Sequence, residues 1–184
     1  TLLLDEIQWL EPFLPEADAT EWNALAKKHL RFVPNGLGVI TGSRWLAHLY
    51  LVACTNKPKL LGARLTDIVT FVSAQENACR YCYGTTRMQL LLAGYGERFI
   101  EQLEREVGLG GVDPLERGVA DFSRALSRSN PRPPAHEARA LLDLGLSVDQ
   151  FREILVYTGI NSLFNRLCTL TAVPLETSLE AVGA

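Results

Sequence analysis

No stretch of this 184-residue chain alternates apolar and polar residues long enough to make a strand, whereas apolar residues recur at helical spacing along most of it. The expected fold is therefore all-α, a compact helical bundle in one domain over residues 1–184. Its joints can be read from punctuation. Thr20 is placed to N-cap a helix to about Phe32, which Val33-Pro34-Asn35-Gly36 then breaks. A second helix is expected from about Gly42 to Thr55, closed by Asn56-Lys57-Pro58-Lys59. Leu65, Ile68, Val69 and Val72 then recur at i, i+3, i+4 and i+7, the pattern of an amphipathic, half-buried helix.

Glu76-Asn77-Ala78 interrupts that pattern just before Cys79, and the next helix should run to Gly94, whose missing Cβ suits a left-handed C′ position. Asp113-Pro114-Leu115-Glu116 combines a capping acid, a first-position proline and a glutamate three residues on, predicting a helix to about Ser127. Asn130-Pro131-Arg132-Pro133-Pro134 reads as a loop. Ser147-Val148-Asp149-Gln150 is a second capping box, opening a long last helix to about Thr171. From Leu175 to Ala184 no strong periodicity continues, and no internal repeat is present.

Charged residues make up 21% of the chain and the formal net charge is −3, which argues against a nucleic-acid partner. The longest apolar runs, such as Leu49 to Cys54, fall far short of the roughly 20 residues of a spanning helix, so no membrane partner is expected. Thr1-Leu2-Leu3-Leu4 leads straight into Asp5 and Glu6, unlike a secretory signal, and Thr1 in place of an initiator Met leaves room for residues upstream. Four cysteines are too few for a disulfide scaffold, which fits a reducing cytoplasm.

Cys79-Arg80-Tyr81-Cys82 carries the chemistry. Two thiols at this spacing at a helix start can interconvert between dithiol and disulfide within one turn. The unsatisfied N–H groups and positive dipole end of the helix favour thiolate, the reactive form. Cys54 and Cys168, in apolar runs far from the pair, read as buried, inert thiols. A zinc site would need four ligands, but there is no second CxxC, and His29, His48 and His136 are scattered; no metal and no cofactor are expected.

The segment Leu65 to Gly94 resembles the alkylhydroperoxidase D-like, or carboxymuconolactone decarboxylase-like, superfamily over about thirty residues. In its peroxidase branch an acidic residue stands twelve residues before the first cysteine of CxxC and a histidine four after the second. Here those positions hold Asp67, Cys79, Cys82 and Thr86. Asn161-Ser162-Leu163-Phe164-Asn165-Arg166 is similar to the late helix of peroxidase-related members. The resemblance implies that Cys82 attacks the peroxide, that Cys79 resolves the product, and that an external dithiol, such as a lipoylated protein, attacks an exposed Cys79 to restore both thiols. It also implies a homo-oligomer.

Residue chemistry leaves several roles open. Thr86 shares a helix face with Cys82, and its hydroxyl can relay a proton but cannot act as a base near neutrality. Deprotonation of Cys82 then falls to the helix terminus, to Arg80 or Arg87, or to Asp67 acting through water or Tyr81. Asp67 could equally pair with Arg64, and Tyr81 could be core packing. Glu76, Asn165 and Arg166 are candidates for a substrate pocket or an interface. Two functions follow: a CxxC-dependent peroxidase or disulfide reductase acting on hydroperoxides, or a non-catalytic, redox-sensing oligomeric module.

Overall fold

Ser43, Cys79, Asp113 and Ser147 each accept a backbone N–H at the start of a helix in this protein. The computed structural model describes residues 2–8, 18, 20–39, 43–106, 111–128 and 135–175. Among them the helices are α1 (Thr20–Leu30), α2 (Arg44–Thr55), α3 (Gly62–Glu76), α4 (Arg80–Leu92), α5 (Glu97–Arg105), α6 (Pro114–Ser127), α7 (Ala135–Asp143) and α8 (Val148–Thr171), with short 3-10 turns at Leu4–Glu6 and Asn35–Val39. No strand occurs among the described residues, so the chain is all-α. The proline-rich stretch 130–134, Gly42 and the tail beyond Leu175 lie outside them.

Ser147 and Gln150 form the expected reciprocal box at the start of α8, and Asp113 accepts from the N–H groups of Leu115 and Glu116. Two caps differ from expectation. Thr20 is the first residue of α1 rather than its cap, and both its N–H and its hydroxyl donate to Asp18 Oδ1. Glu116 does not reach back to its own N-terminus, because its carboxylate is held by the Arg64 guanidinium.

Helix α3 forms the centre, packing against α4, α6 and α8, while α6 also meets α7 and α8. It is more buried than its apolar stripe predicts: Thr66, Ser73, Ala74 and Gln75 are buried alongside Ile68, Val69, Phe71 and Val72. Two helical hydroxyls make this tolerable by bonding back one turn, Thr66 to the Gly62 carbonyl at 2.7 Å and Thr70 to that of Thr66 at 2.9 Å. One flank of α3 packs Ile68, Phe71 and Val72 against Tyr83, Ile100 and Leu103; Val69 faces Val119, Phe122, Leu141 and Ile154 on the other side.

A polar network pins this core. Arg124, 2% exposed, donates to Gln75 Oε1 at 2.9 Å and to the Leu103 carbonyl. Gln75 donates in turn to the Glu104 carbonyl at 2.9 Å, and the Glu104 carboxylate accepts from Tyr83 and Arg87, each at 2.8 Å. Buried polar groups are tolerated when partnered in this way. Burial, followed by the facing Glu104 charge, pushes the Tyr83 hydroxyl far above its ordinary pKa, so it stays a donor.

The turn joining α3 to α4 sets the position of the CxxC pair. Ala78 adopts a left-handed conformation with φ of +49°, which lets the Cys79 N–H reach back to the Ala74 carbonyl at 3.1 Å. Asn77 ties the same turn to α8 through a 3.2 Å bond to Ser162 Oγ. At the other end of α4, Gly94 takes the expected positive φ, +84°.

Candidate active site: three thiols beside a cavity

Cys79 is the N-cap of α4, and its Sγ accepts the backbone N–H of Cys82 at 3.3 Å. In that role sulfur replaces the oxygen of a conventional cap. Cys79 has no exposed surface, whereas Cys82 is half-buried. Because α8 packs on α4, Cys168 arrives from the far end of the sequence to join them: Cys79, Tyr81, Cys168 and Val173 form one buried cluster, with Cys82 and Leu175 against it. Gly84 permits this closure, since a Cβ there would lie 2.7 Å from a methyl of Leu175.

Hydrogen bonding ranks the three sulfurs. Burial pushes the Cys79 thiol up, but it accepts hydrogen bonds from the Cys168 and Cys82 thiols, the Cys82 N–H and Thr169, and together these hold it well below an ordinary thiol. Cys82 is raised well above, through donation to Cys168 and Cys79 and then through burial. Cys168 is also raised: donation to Cys79 leads, the Cys82 contact opposes it, and burial adds to the rise. Of the three sulfurs, Cys79 is therefore the one that most readily carries negative charge.

Cys82 and Cys168 open on a cavity of about 230 Å³, far above the roughly 10–15 Å³ that one water needs. Its exposed wall area is largely apolar, with Phe32, Pro34, Ala53, Ile160 and Phe164, while Lys57, Gln89 and Asn161 line it beside Tyr50, Tyr81, Cys54 and Asn165. Burial raises the Cys54 thiol to about 11 despite its hydrogen bond with Tyr50 and the nearby Lys57. Asn165 is 3% exposed, and its side-chain nitrogen has no hydrogen-bond partner among the described residues. A buried amide N–H left unpaired at a cavity wall is a donor waiting for an acceptor.

Of the residues singled out from the sequence, Cys79, Cys82, Tyr81 and Asn165 come together here. Tyr81 is buried, and its hydroxyl accepts the Gly36 N–H at 3.3 Å. Thr86 lies on the cavity wall, but its hydroxyl is taken by the carbonyls of Cys82 at 2.7 Å and Tyr83 at 3.2 Å, so it relays nothing to sulfur. Asp67 is not on the wall. Lys57 at 3.3 Å and the Tyr95 hydroxyl at 3.2 Å hold its carboxylate, and Arg64 pairs with Glu116 instead.

Glu76 pairs with Arg128 at 3.0 Å, and Arg166 is exposed on the outer side of α8. Arg80 donates to the Ile7 carbonyl and Arg87 to Glu104. The reading of Cys79 as an exposed sulfur fails, because the N-cap position lies beneath the C-terminal turn of α8. Cys168 is buried, as its apolar run implies, but it stands beside Cys79 and on the cavity wall. Its spacing of three from Asn165 puts both on one helix face and was the available signal.

No protein-family model matches the chain, and no curated protein matches it in sequence. The fold nevertheless has relatives among solved structures: it is the alkylhydroperoxidase D-like fold. An uncharacterized peroxidase-related protein from Silicibacter sp. TM1040 superposes with a TM-score of 0.73 at 17% identity, covering 94% of this chain and 97% of that one. An uncharacterized peroxidase-related protein from Ralstonia eutropha JMP134, described as an alkylhydroperoxidase AhpD core, superposes with a TM-score of 0.75 at 15% identity, over 92% and 96% of the two chains.

Proposed function

We propose that the protein is a thiol-dependent oxidoreductase that uses the Cys79–Cys82 pair to reduce hydroperoxides. The observation that carries this reading is the meeting of a cavity-facing thiol, Cys82, with a neighbouring sulfur, Cys79, placed to close a disulfide with it. Cys79, the weaker base of the two, takes the Cys82 proton only as the S–O bond forms and the Cys82 sulfur loses its hold on it, with no histidine at position 86 to accept it. The Cys82 sulfur attacks the distal peroxide oxygen, the O–O bond breaks, the Cys82 proton passes to Cys79, and the alkoxide leaves as alcohol after taking a solvent proton. Cys79 then attacks the Cys82 sulfenic acid: an S–S bond forms, the S–O bond breaks, and the hydroxide takes the Cys79 proton and departs as water.

The apolar wall favours an organic hydroperoxide, with the Asn165 amide donating to a peroxide oxygen. Asp67, Thr86, Glu76 and Arg166 are left out of the chemistry for the reasons of geometry above. An external dithiol, of which a lipoylated protein is the candidate class, returns the pair to thiols. Exposed Trp45, Val52 and Val156 support a homo-oligomer as the working state. No described helix is long and apolar enough to cross a membrane.

The test is to mix the reduced protein with one equivalent of an organic hydroperoxide, follow thiol loss in time, and map any disulfide by peptide mass. Rapid formation of a disulfide at Cys82 is the expected result. Thiols that stay reduced would overturn the reading and leave a redox-silent binding module.

A further inference from the structure

Of the two sulfurs of a Cys79–Cys82 disulfide, that of Cys82 faces the cavity and that of Cys79 does not. Thiol–disulfide exchange requires the incoming sulfur to line up with the one it attacks. Cys79 has no exposed surface and does not line the cavity. Cys168 has the opposite placement: it packs against Cys79 on one side and lines the same cavity as Cys82 on the other. It is held there from both directions, by α8 packing on α4 and by the turn after α8, where the Val173 N–H returns to the Cys168 carbonyl at 3.3 Å.

We propose that Cys168 is a third redox thiol, which exchanges into the oxidised pair through Cys79 and presents the disulfide to the cavity as Cys79–Cys168. The step needs no outside oxidant. Cys168, deprotonated by the Cys82 thiolate as that group is released, attacks Cys79 Sγ; the Cys168–Cys79 bond forms, the Cys79–Cys82 bond breaks, and Cys82 keeps the bonding pair and the proton. One disulfide is exchanged for another, with no net transfer of electrons. Cys79 accepts from both Cys168 and Cys82, and Cys82 also contacts Cys168, so the three sulfurs lie within exchange reach of one another in the cluster. Two consequences follow: Cys82 is free to meet a second peroxide, and the disulfide keeps a cavity-facing sulfur, now Cys168, for the external dithiol.

The inference rests on the peroxidase reading for its oxidant but can be tested apart from it. Trypsin cuts after Arg64, Arg80, Arg87 and Arg166, so Cys79, Cys82 and Cys168 fall on three different peptides and each pairing has its own mass. Diamide, a diazene that takes up two thiol protons and two electrons to form one disulfide, is applied to Cys82→Ser, and hydroperoxide is applied to the unaltered protein. A Cys79–Cys168 peptide pair in Cys82→Ser, with loss of alkylation at Cys168, is the expected result. Where Cys82→Ser does not fold, the same pair is sought in the unaltered protein oxidised with diamide, in mixture with Cys79–Cys82.

Should Cys168 stay fully alkylatable with diamide while hydroperoxide yields Cys79–Cys82, the third-thiol proposal is overturned and the peroxidase reading stands. Should hydroperoxide leave all thiols reduced while diamide joins Cys79 to Cys168, the reverse holds. Re-reduction by dihydrolipoamide gives a second readout: Cys168→Ser, oxidised to its Cys79–Cys82 disulfide, is expected to be reduced more slowly than the unaltered protein. An equal rate would show that the reductant reaches the pair without Cys168.

Discussion

Cys79 Sγ caps its own helix by accepting the Cys82 backbone N–H at 3.3 Å, so the sulfur that stabilises the start of α4 is also the one that most readily carries charge. This couples ionisation to folding. With its folded pKa depressed below the unfolded value, Cys79 contributes stability that is fully present above the unfolded thiol pKa and is lost as pH falls through the folded one. Cys82 and Cys168, raised in the folded state, act in the opposite sense, stabilising at lower pH and ceasing to do so as pH rises through their folded values. Titrating the ultraviolet thiolate absorbance should therefore reveal one thiolate below the ordinary thiol range in the unaltered protein. Cys79→Ser should abolish that transition, and its persistence would assign the charge to another sulfur.

Asn165→Ala separates function from stability. The Asn165 nitrogen is buried and unpaired, so its removal relieves a desolvation penalty of about 1–3 kcal/mol while losing some packing at the cavity wall. Urea unfolding is expected to change by less than about 1 kcal/mol by this balance. Peroxide-dependent thiol loss should slow. An unchanged rate would remove Asn165 from the substrate site.

Six of the eight described helices were legible, α5 and α7 not among them, because their ends depend on local chemistry: Asp113, Ser147 and Gly94 act within a turn of where they stand. What could not be read were relations made by packing across the bundle. The polar identities of Gln75, Glu104 and Arg124 suggest surface, yet in the core Arg124 donates to Gln75, and Tyr83 and Arg87 donate to the Glu104 carboxylate. Asp67 keeps the family spacing to Cys79, but Lys57 and Tyr95 fix its carboxylate away from the sulfurs. Cys168, eighty-nine positions beyond Cys79 in the numbering, reaches the site only because α8 lies on α4.

Thr86→His tests whether the missing imidazole limits the chemistry. The Thr86 hydroxyl bonds only the carbonyls of its own helix, which remain bonded within it, so the substitution breaks no link between helices. Position 86 lies on the cavity wall with Cys82, and a histidine there, with a pKa near 6.5, could accept the Cys82 proton at neutral pH. Faster peroxide-dependent thiol loss, with an added dependence on a group titrating near neutrality, is the expected outcome. A rate unchanged across pH would mean that Cys79 already removes the proton without limiting the reaction.

Arg124→Ala probes the frame behind the site. Arg124 is buried and donates to Gln75 Oε1 and the Leu103 carbonyl, with Glu106 at 3.9 Å. Truncation leaves those acceptors without their donor and opens a void between α3, α5 and α6, a class of change that costs about 3–5 kcal/mol when one partner of a buried charged network is lost. Arg124→Met keeps much of the volume but supplies no donor, so it should recover only the packing share of that loss. If urea unfolding gave both variants the stability of the unaltered protein, the Arg124–Gln75–Glu104 chain would be incidental to the core. If Met restored stability fully while Ala did not, packing around Arg124 would matter and its hydrogen bonds would not.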